Sequence, residues 1–174
     1  MPRIAVLIDG GFLRVRAKDA GKSYDPAFIE KVALACPLAE EELYRVMYYD
    51  CAPFGGEVSL PVSGRLHQFE ASDGWQHELA RKDYFAVRRG VLKFRGWIPK
   101  SIPLTTTQLT DDDFKPRFEQ KGVDMRIGLD MASFSASLVV ERVALLTGDT
   151  DCVPAMKHAR KAGLQVVLLT VPGA

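Results

Sequence analysis

Five segments of the chain have the residue pattern of β-strands. Four are runs of apolar residues, as expected for strands buried on both faces of a parallel sheet, and they lie at 3–8, 43–49, 143–146 and 165–169. The fifth, 84–94, is rich in strand-forming residues but carries several charges and a glycine. This composition favours an edge strand or a bent hairpin.

Four further segments have features of helices, at 25–36, 63–82, 123–139 and 151–162. The first begins with Asp25-Pro26, an N-cap residue followed by proline at the first helical position. The last has Pro154 near its start and Gly163 just after its end, which is the usual asymmetry of helix termini. Because strands and helices alternate, the predicted fold is α/β, with a mainly parallel sheet covered by helices on both faces.

The chain of 174 residues has the length of one domain, and we expect a single domain over 1–174. Residues 96–120 show no clear period and contain Pro99, Pro103 and Pro116. We therefore predict a long loop over 96–120, and loops of that length in compact domains are usually functional or mobile.

Composition excludes several classes of protein. Apolar residues make up 47% and charged residues 26% of the chain, which argues against a disordered or fibrous protein. No apolar run is long enough to span a bilayer, and Asp9 interrupts the N-terminal apolar run before any secretory signal is complete. Cys36, Cys51 and Cys152 form no CxxC pair, so neither a disulfide framework nor a zinc site is indicated. We expect a cytoplasmic protein.

Acidic residues follow two of the predicted strands. Asp9 ends the first strand, and Asp149 and Asp151 follow the strand at 143–146. The carboxyl ends of parallel strands line one edge of a sheet, where ligands bind, so we expect these acids to converge. Asp124 joins them if the helix over 123–139 starts at the same edge.

A cluster of carboxylates favours metal chemistry. Two unit charges ~4 Å apart repel by about 4 kcal/mol at an effective dielectric constant of 20, so such a cluster raises carboxyl pKa values or holds a cation. Oxygen ligands without His or Cys favour Mg²⁺ or Mn²⁺, ions that activate water and bind phosphate oxygens. The expected chemistry is phosphodiester hydrolysis. The alternative for any one of these acids is a turn or N-cap role, which is common for Asp after a strand.

Three short motifs occur in a fixed order along the chain. They are Val6-Leu-Ile-Asp-Gly-Gly-Phe12, then Lys121-Gly-Val-Asp124 with Asp130 further on, then Leu146-Thr-Gly-Asp-Thr-Asp-Cys-Val-Pro154. Together they resemble the NYN domain, in the LabA-like branch of the PIN-like nucleases. The resemblance extends from Ile4 to about Leu169.

This resemblance implies a Rossmann-like three-layer α/β/α sandwich and a ribonuclease dependent on Mg²⁺ or Mn²⁺. The catalytic, metal-binding acids of the family correspond to Asp9, Asp124, Asp149 and Asp151. Residues expected to support these ligands without binding the ion are Asp130, Gly10 and Thr147. Six residues along a helix separate Asp130 from Asp124 by about 9 Å and turn it to another face. A homodimer is also implied.

Two features depart from the family pattern. Phe12 stands where many members have Asn, three residues after the first acid, so one polar contact to the site is missing. The chain also ends just after the last predicted strand, where relatives often continue, which favours a truncated C-terminus.

A basic stretch at 81–100 holds seven basic residues and one acid. Cations contact phosphates and aromatic rings stack on unpaired bases, so this stretch favours binding of single-stranded RNA. The candidate RNA-binding residues are Lys121, Arg88, Arg89, Lys93, Arg95 and Trp97. The alternative is an edge strand protected by charge, with its aromatic rings in the core.

Two other functions compete with a ribonuclease. A phosphatase of the haloacid-dehalogenase type also ends its first strand in Asp, but it needs a second Asp where this chain has Gly11. An RNA-binding module with little or no catalysis is favoured by Phe12 and by the short C-terminus.

Overall fold

A computed structural model describes residues 1–105 and 107–170. In chain order the strands are β1 (Arg3–Asp9), β2 (Glu42–Ala52), β3 (Gly56–Ser59), β4 (Leu66–Phe69), β5 (Phe85–Pro99), β6 (Phe114–Lys121), β7 (Arg142–Leu146) and β8 (Gln165–Leu168). The helices are α1 (Gly10–Asp19), α2 (Pro26–Leu34), α3 (Gly74–Ala80), α4 (Val123–Ser137) and α5 (Val153–Lys161).

The chain forms two compact units. The first unit contains Met1–Asp50, Gly74–Arg89 and the chain from Gly122 onward, and the second contains Cys51–Asp73 and Gly90–Lys121. The prediction of a single domain over 1–174 is not tested by this division, and it stays a prediction.

The first unit is built around a parallel sheet. β1 lies at its centre and pairs in parallel with β2 on one side and with β7 on the other, and β7 pairs in parallel with β8. The residues from Ile4 to Ile8 have no exposed surface, which explains why β1 is apolar at every position. The predicted α/β class with a mainly parallel sheet is confirmed.

Helices cover both faces of this sheet. On one face, Ile4, Val6 and Ile8 pack in a cluster with residues of α1, α2 and α3. Neighbouring residues of a strand point to opposite faces, and Tyr48 of β2 belongs to that cluster. Tyr49 therefore points to the other face, where its hydroxyl donates to Asp130 of α4. The first unit thus has the three layers that the resemblance implied.

The second unit is antiparallel. The part of β5 from Gly90 onward belongs to this unit and pairs with β6, and β3 pairs with β4 as a hairpin. Phe54, Phe69, Phe94, Trp97 and Phe118 form its core, with neighbouring ring centroids 5.5 to 6.1 Å apart.

Two predicted segments were wrong. The helix over 63–82 is limited to α3, and β4 occupies its first part, because Phe69 packs into the aromatic core of the second unit. The long loop over 96–120 is wrong at both ends, because β5 continues to Pro99 and β6 begins at Phe114. Their pairing shifts register between Phe94 and Trp97, and Pro116 lies opposite Trp97 beside this irregularity.

The other predicted helices and strands are confirmed to within a few residues, whereas α1 and β3 were missed. In the part of the chain that the structure describes, no helix has both the length and the apolar character needed to cross a membrane. The prediction about the C-terminus falls on residues beyond Thr170, outside the described part.

Candidate active site at the strand ends

Parallel pairing brings the ends of β1 and β7 together. Ile8 lies opposite Leu146, so the next residues of the two strands, Asp9 and Thr147, are neighbours. The buried hydroxyl of Thr147 donates a hydrogen bond to Oδ2 of Asp9 at 3.0 Å. This contact orients one oxygen of the predicted metal ligand, and it is what the support role of Thr147 would require.

Asp9 is also the N-cap of α1. Its Oδ1 accepts a hydrogen bond of 3.1 Å from the backbone N–H of Phe12. Asp9 therefore has the capping role that was the alternative to metal binding. The two roles are compatible, because a capping carboxylate still has lone pairs for a cation. The residue after Asp9 has no room for a side chain. A Cβ added to Gly10 would lie 2.8 Å from the carbonyl oxygen of Tyr49 and would collide with the Tyr48 side chain.

The turn after β7 orders the next two acids. The backbone N–H of Asp149 donates to the Thr147 hydroxyl oxygen at 3.1 Å, and the backbone N–H of Asp151 donates to Oδ1 of Asp149 at 2.8 Å. Asp149 caps the short 3-10 turn Thr150–Cys152 that leads into α5. The capping role considered for Asp151 thus belongs to Asp149, and the side chain of Asp151 is exposed.

Asp124 lies in the first turn of α4 and interacts electrostatically with the other three acids. Desolvation raises the pKa of Asp124, and the negative charges of Asp149, Asp9 and Asp151 raise it further. The structure therefore brings the four predicted acids into one negative region, which we call the carboxylate edge (Asp9, Asp124, Asp149 and Asp151).

Cys152 is buried beneath the carboxylate edge. Burial, followed by the charges of Asp124, Asp149 and Asp9, raises the pKa of its thiol to about 11. A thiol held protonated in this way is a packing residue and not a nucleophile.

The donor chemistry of the carboxylate edge fits a divalent cation. Its side-chain donors are carboxylate oxygens, the ligands preferred by Mg²⁺ and Mn²⁺, and their mutual repulsion is the kind that a cation relieves. Within residues 1–105 and 107–170, however, no three His, Cys, Asp or Glu side chains are arranged closely enough to hold one metal ion. The four acids therefore interact electrostatically, but in this structure their carboxylates do not form a coordination sphere for one ion.

Asp130 lies apart from the carboxylate edge. It is buried on the sheet side of α4, where it accepts from the Tyr49 hydroxyl at 2.9 Å and from Nε and Nη2 of Arg88 at 3.0 and 2.9 Å. Arg88, a predicted RNA-binding residue, is therefore engaged in a two-bond ion pair inside the first unit.

The other predicted RNA-binding residues differ in exposure and in the contacts that their side chains make within the protein. In the second unit, Arg95 and Lys121 both form ion pairs with Glu119, and the indole N–H of Trp97 donates to the carbonyl oxygen of Ser59 at 2.8 Å. Lys93 is exposed. Arg89 belongs to the first unit and has an interaction of its own. The aromatic core alternative describes Trp97 well, because its ring stacks on Phe69.

A polar network beside Gly10 was missed from the sequence. Arg14 of α1 forms an ion pair with the buried Asp50, and the Tyr48 hydroxyl donates to Asp50 at 3.1 Å. The Tyr24 hydroxyl lies 2.6 Å from that of Tyr48 and donates to the carbonyl oxygen of Gly10 at 3.0 Å. A signal was available, because Asp50 follows the strand at 43–49 just as Asp9 follows the strand at 3–8.

Phe12 lies over the turn after β7. A Cβ added to Gly148 would be 2.9 Å from two ring carbons of Phe12, so the ring packs closely on this glycine. The position where the resemblance led us to expect Asn is therefore filled by an apolar ring, packed on the residue before Asp149.

The family model described as the NYN domain matches residues 3–174. The curated proteins and the solved structures contain no significant match to the chain. Since the family match covers essentially the whole sequence, the chain belongs to the NYN domain family and, with it, to the PIN-like nuclease superfamily.

Proposed function

We propose that this protein is a ribonuclease that hydrolyses phosphodiester bonds of single-stranded RNA with the help of Mg²⁺ or Mn²⁺. The observation that carries the proposal is the carboxylate edge, where acids from distant parts of an NYN domain chain are gathered. Assignment to the LabA-like branch is part of the same proposal and rests on the three sequence motifs.

Asp9, Asp124, Asp149 and Asp151 would hold the ion. When bound, a divalent ion of this kind supplies an activated water and neutralises charge on the phosphate. The protein's own contribution is orientation. The Thr147 hydroxyl holds Oδ2 of Asp9, and the backbone N–H of Asp151 holds Oδ1 of Asp149. Such contacts behind metal ligands are a general requirement for ligand geometry.

RNA is proposed as the substrate from the family and from the local charge of 81–100. Of the candidate RNA-binding residues, Lys93 is the one whose charge is exposed and without an ion pair in the described part of the chain. Lys93 is therefore the best candidate for a phosphate contact. Homodimer formation stays a prediction.

The test is cleavage of a labelled single-stranded RNA in Mn²⁺, Mg²⁺ or EDTA. We expect cleavage with the metals and none with EDTA. Asp9→Asn and Asp149→Asn should abolish cleavage without unfolding the protein, whereas Asp112→Asn, at an exposed acid of the second unit, should leave it unchanged. Full activity in both of the first two variants, at matched metal concentration, would refute the assignment.

A second function, RNA binding with little or no catalysis, is favoured by Phe12. Its ring occupies the space over Gly148 where an Asn side chain would offer a polar contact beside Asp149. This function predicts RNA binding that survives EDTA and no product in any metal. In that case, Phe12→Asn should restore metal-dependent cleavage, and its failure to do so would remove Phe12 as the cause.

A further inference from the structure

A groove runs between α4 and α5, next to the carboxylate edge. It has a volume of about 340 Å³, at the lower end of the range of ligand sites. Asp124 and Asp151 line it together with apolar residues of the two helices, which are Met125, Gly128, Leu129, Pro154 and Ala155. The groove therefore begins at the proposed site of hydrolysis.

The walls of this groove are unusually exposed for apolar side chains. Met125 is 68% and Leu129 is 56% exposed, on a helix whose opposite side is buried against the sheet. Met is a flexible and polarisable side chain that adapts to flat partners. Exposed apolar residues gathered beside a polar site are a common mark of a binding surface.

The floor of the groove is formed by small residues. The nearest atom to a Cβ built on Gly128 is the Cβ of Ala155, at 3.9 Å. The two helices therefore come close with nothing but small groups between them. A floor of this kind offers van der Waals contact to a planar group, and no side chain of the floor carries a hydrogen-bonding atom.

The chemistry of the lining restricts the occupant of the groove. The lining side chains offer a phosphate neither a positive charge nor a hydrogen-bond donor, whereas a neutral group with apolar faces is tolerated. In a nucleic acid strand this neutral group is the base. In a duplex the base is paired and stacked, so the groove suits an unpaired base.

We infer that the groove between α4 and α5 holds one unpaired nucleobase of an RNA strand whose phosphate lies at the carboxylate edge. This inference rests on the proposed function and adds the means by which a single strand is selected. Because the contacts are apolar, the groove should accept all four bases with similar affinity, as stacking surfaces in other single-strand binding proteins do.

The test compares two strands with the same phosphates. One is a labelled ten-nucleotide RNA, and the other has abasic nucleotides at its three central positions. Affinities are measured by fluorescence anisotropy in EDTA and in Mn²⁺, and cleavage is followed separately. We expect the wild type to bind the base-bearing strand about fivefold more tightly, as burial of a modest apolar area would give.

Gly128→Leu fills the groove and should remove this preference while the affinity for the abasic strand is kept. The matched control is Ala136→Leu, which adds the same side chain at an exposed position of α4 outside the groove. If Gly128→Leu does not fold, the double variant Met125→Ala, Leu129→Ala removes the exposed walls instead and should reduce the preference in the same direction.

The outcomes separate this inference from the proposed function. Equal binding of both strands by the wild type, binding of neither, or a preference unchanged in the groove variants would overturn the inference, even if RNA is cut. A preference that Gly128→Leu removes, in a protein that cuts no RNA in any metal, would support the groove and refute the hydrolysis.

Discussion

The hydroxyl of Thr147 donates a hydrogen bond of 3.0 Å to Oδ2 of Asp9 and joins the ends of two strands that are 138 residues apart in sequence. The Thr147 hydroxyl oxygen also accepts a hydrogen bond of 3.1 Å from the backbone N–H of Asp149. One buried hydroxyl thus links two of the four acids of the carboxylate edge.

Thr147→Val should weaken both the fold and the activity. It leaves one oxygen of Asp9 without its donor and the N–H of Asp149 without its acceptor, at a cost of about 1–3 kcal/mol in the free energy of unfolding. Cleavage should fall by about tenfold or more, as is usual when a partner of a metal ligand is removed. Chemical denaturation and RNA cleavage measure the two effects. Thr147→Ser keeps the hydroxyl and should retain both properties, and equal losses in the two variants would count against this role.

Arg88→Met should reduce stability without changing how RNA binding depends on salt. The guanidinium makes two hydrogen bonds to the buried Asp130, and their loss should lower the free energy of unfolding by about 2 kcal/mol. The exposed Lys93 is the comparison. Lys93→Met should leave stability unchanged but lower the slope of log affinity against log salt by about 0.7, the value for one phosphate contact to a single strand. A lower slope in Arg88→Met would mean that Arg88 contacts RNA.

Two glycines of the α4 region should respond to alanine with opposite sign. Gly128 lies inside α4, and the nearest neighbour of an added Cβ is 3.9 Å away, so Gly128→Ala should stabilise the protein by about 0.5–1 kcal/mol. Gly122 precedes the helix with φ of +79°, so Gly122→Ala should destabilise it by about 1–2 kcal/mol. Thermal unfolding of the two variants measures the difference. The same sign in both would show that α4 starts or packs differently.

Two buried tyrosines and a partly buried third should make the protein unstable in alkali. Burial raises the pKa values of Tyr24, Tyr48 and Tyr49 above the ordinary value of 10.0, and nearby carboxylates raise those of Tyr48 and Tyr49 further. Above about pH 10 the unfolded chain loses these protons while the folded protein keeps them. Stability is therefore fully present below pH 10 and falls above it, by up to about 4 kcal/mol per pH unit for three groups.

Denaturant unfolding between pH 8 and 11, with phenolate absorbance recorded in parallel, measures this fall. Tyr24→Phe should make the dependence less steep, because one proton fewer is released on unfolding. Stability that stays constant up to pH 11 would show that these hydroxyls ionise as easily in the folded protein as in the unfolded chain.

The helix missed at the start of the chain shows a limit of pattern analysis. α1 begins directly after β1 with Gly10-Gly11, residues that favour turns, and from Leu13 to Lys18 its apolar and basic residues alternate, which is not a helical spacing. Its helical form depends on capping by Asp9 and on contacts of Leu13 and Ala17 with the core. These contacts are made with residues far away in sequence, so a local pattern does not reveal them.

Short sequence patterns were sufficient to predict most strands, several helix ends and the place of a candidate site. Continuous apolar runs predicted the central parallel strands, Asp25-Pro26 and Gly163 predicted helix ends, and acids after the strands predicted where a site would lie. Because such features depend on backbone geometry and burial within a few residues, they can be predicted from the sequence. The same local information grouped Arg88, Arg95 and Trp97 as one basic and aromatic RNA-binding stretch.

Only the tertiary structure showed which of those side chains form ion pairs or pack in a core within the protein itself. Arg88 is paired with Asp130, 42 residues away, and Arg95 with Glu119, 24 residues away, while Trp97 packs in an aromatic core. It also decided that Phe69 lies in a strand and that Asp50 is neutralised by Arg14. The physical reason is that ion pairs and core packing depend on distance in space, and chain folding brings together charges and rings whose separation in sequence carries no such information.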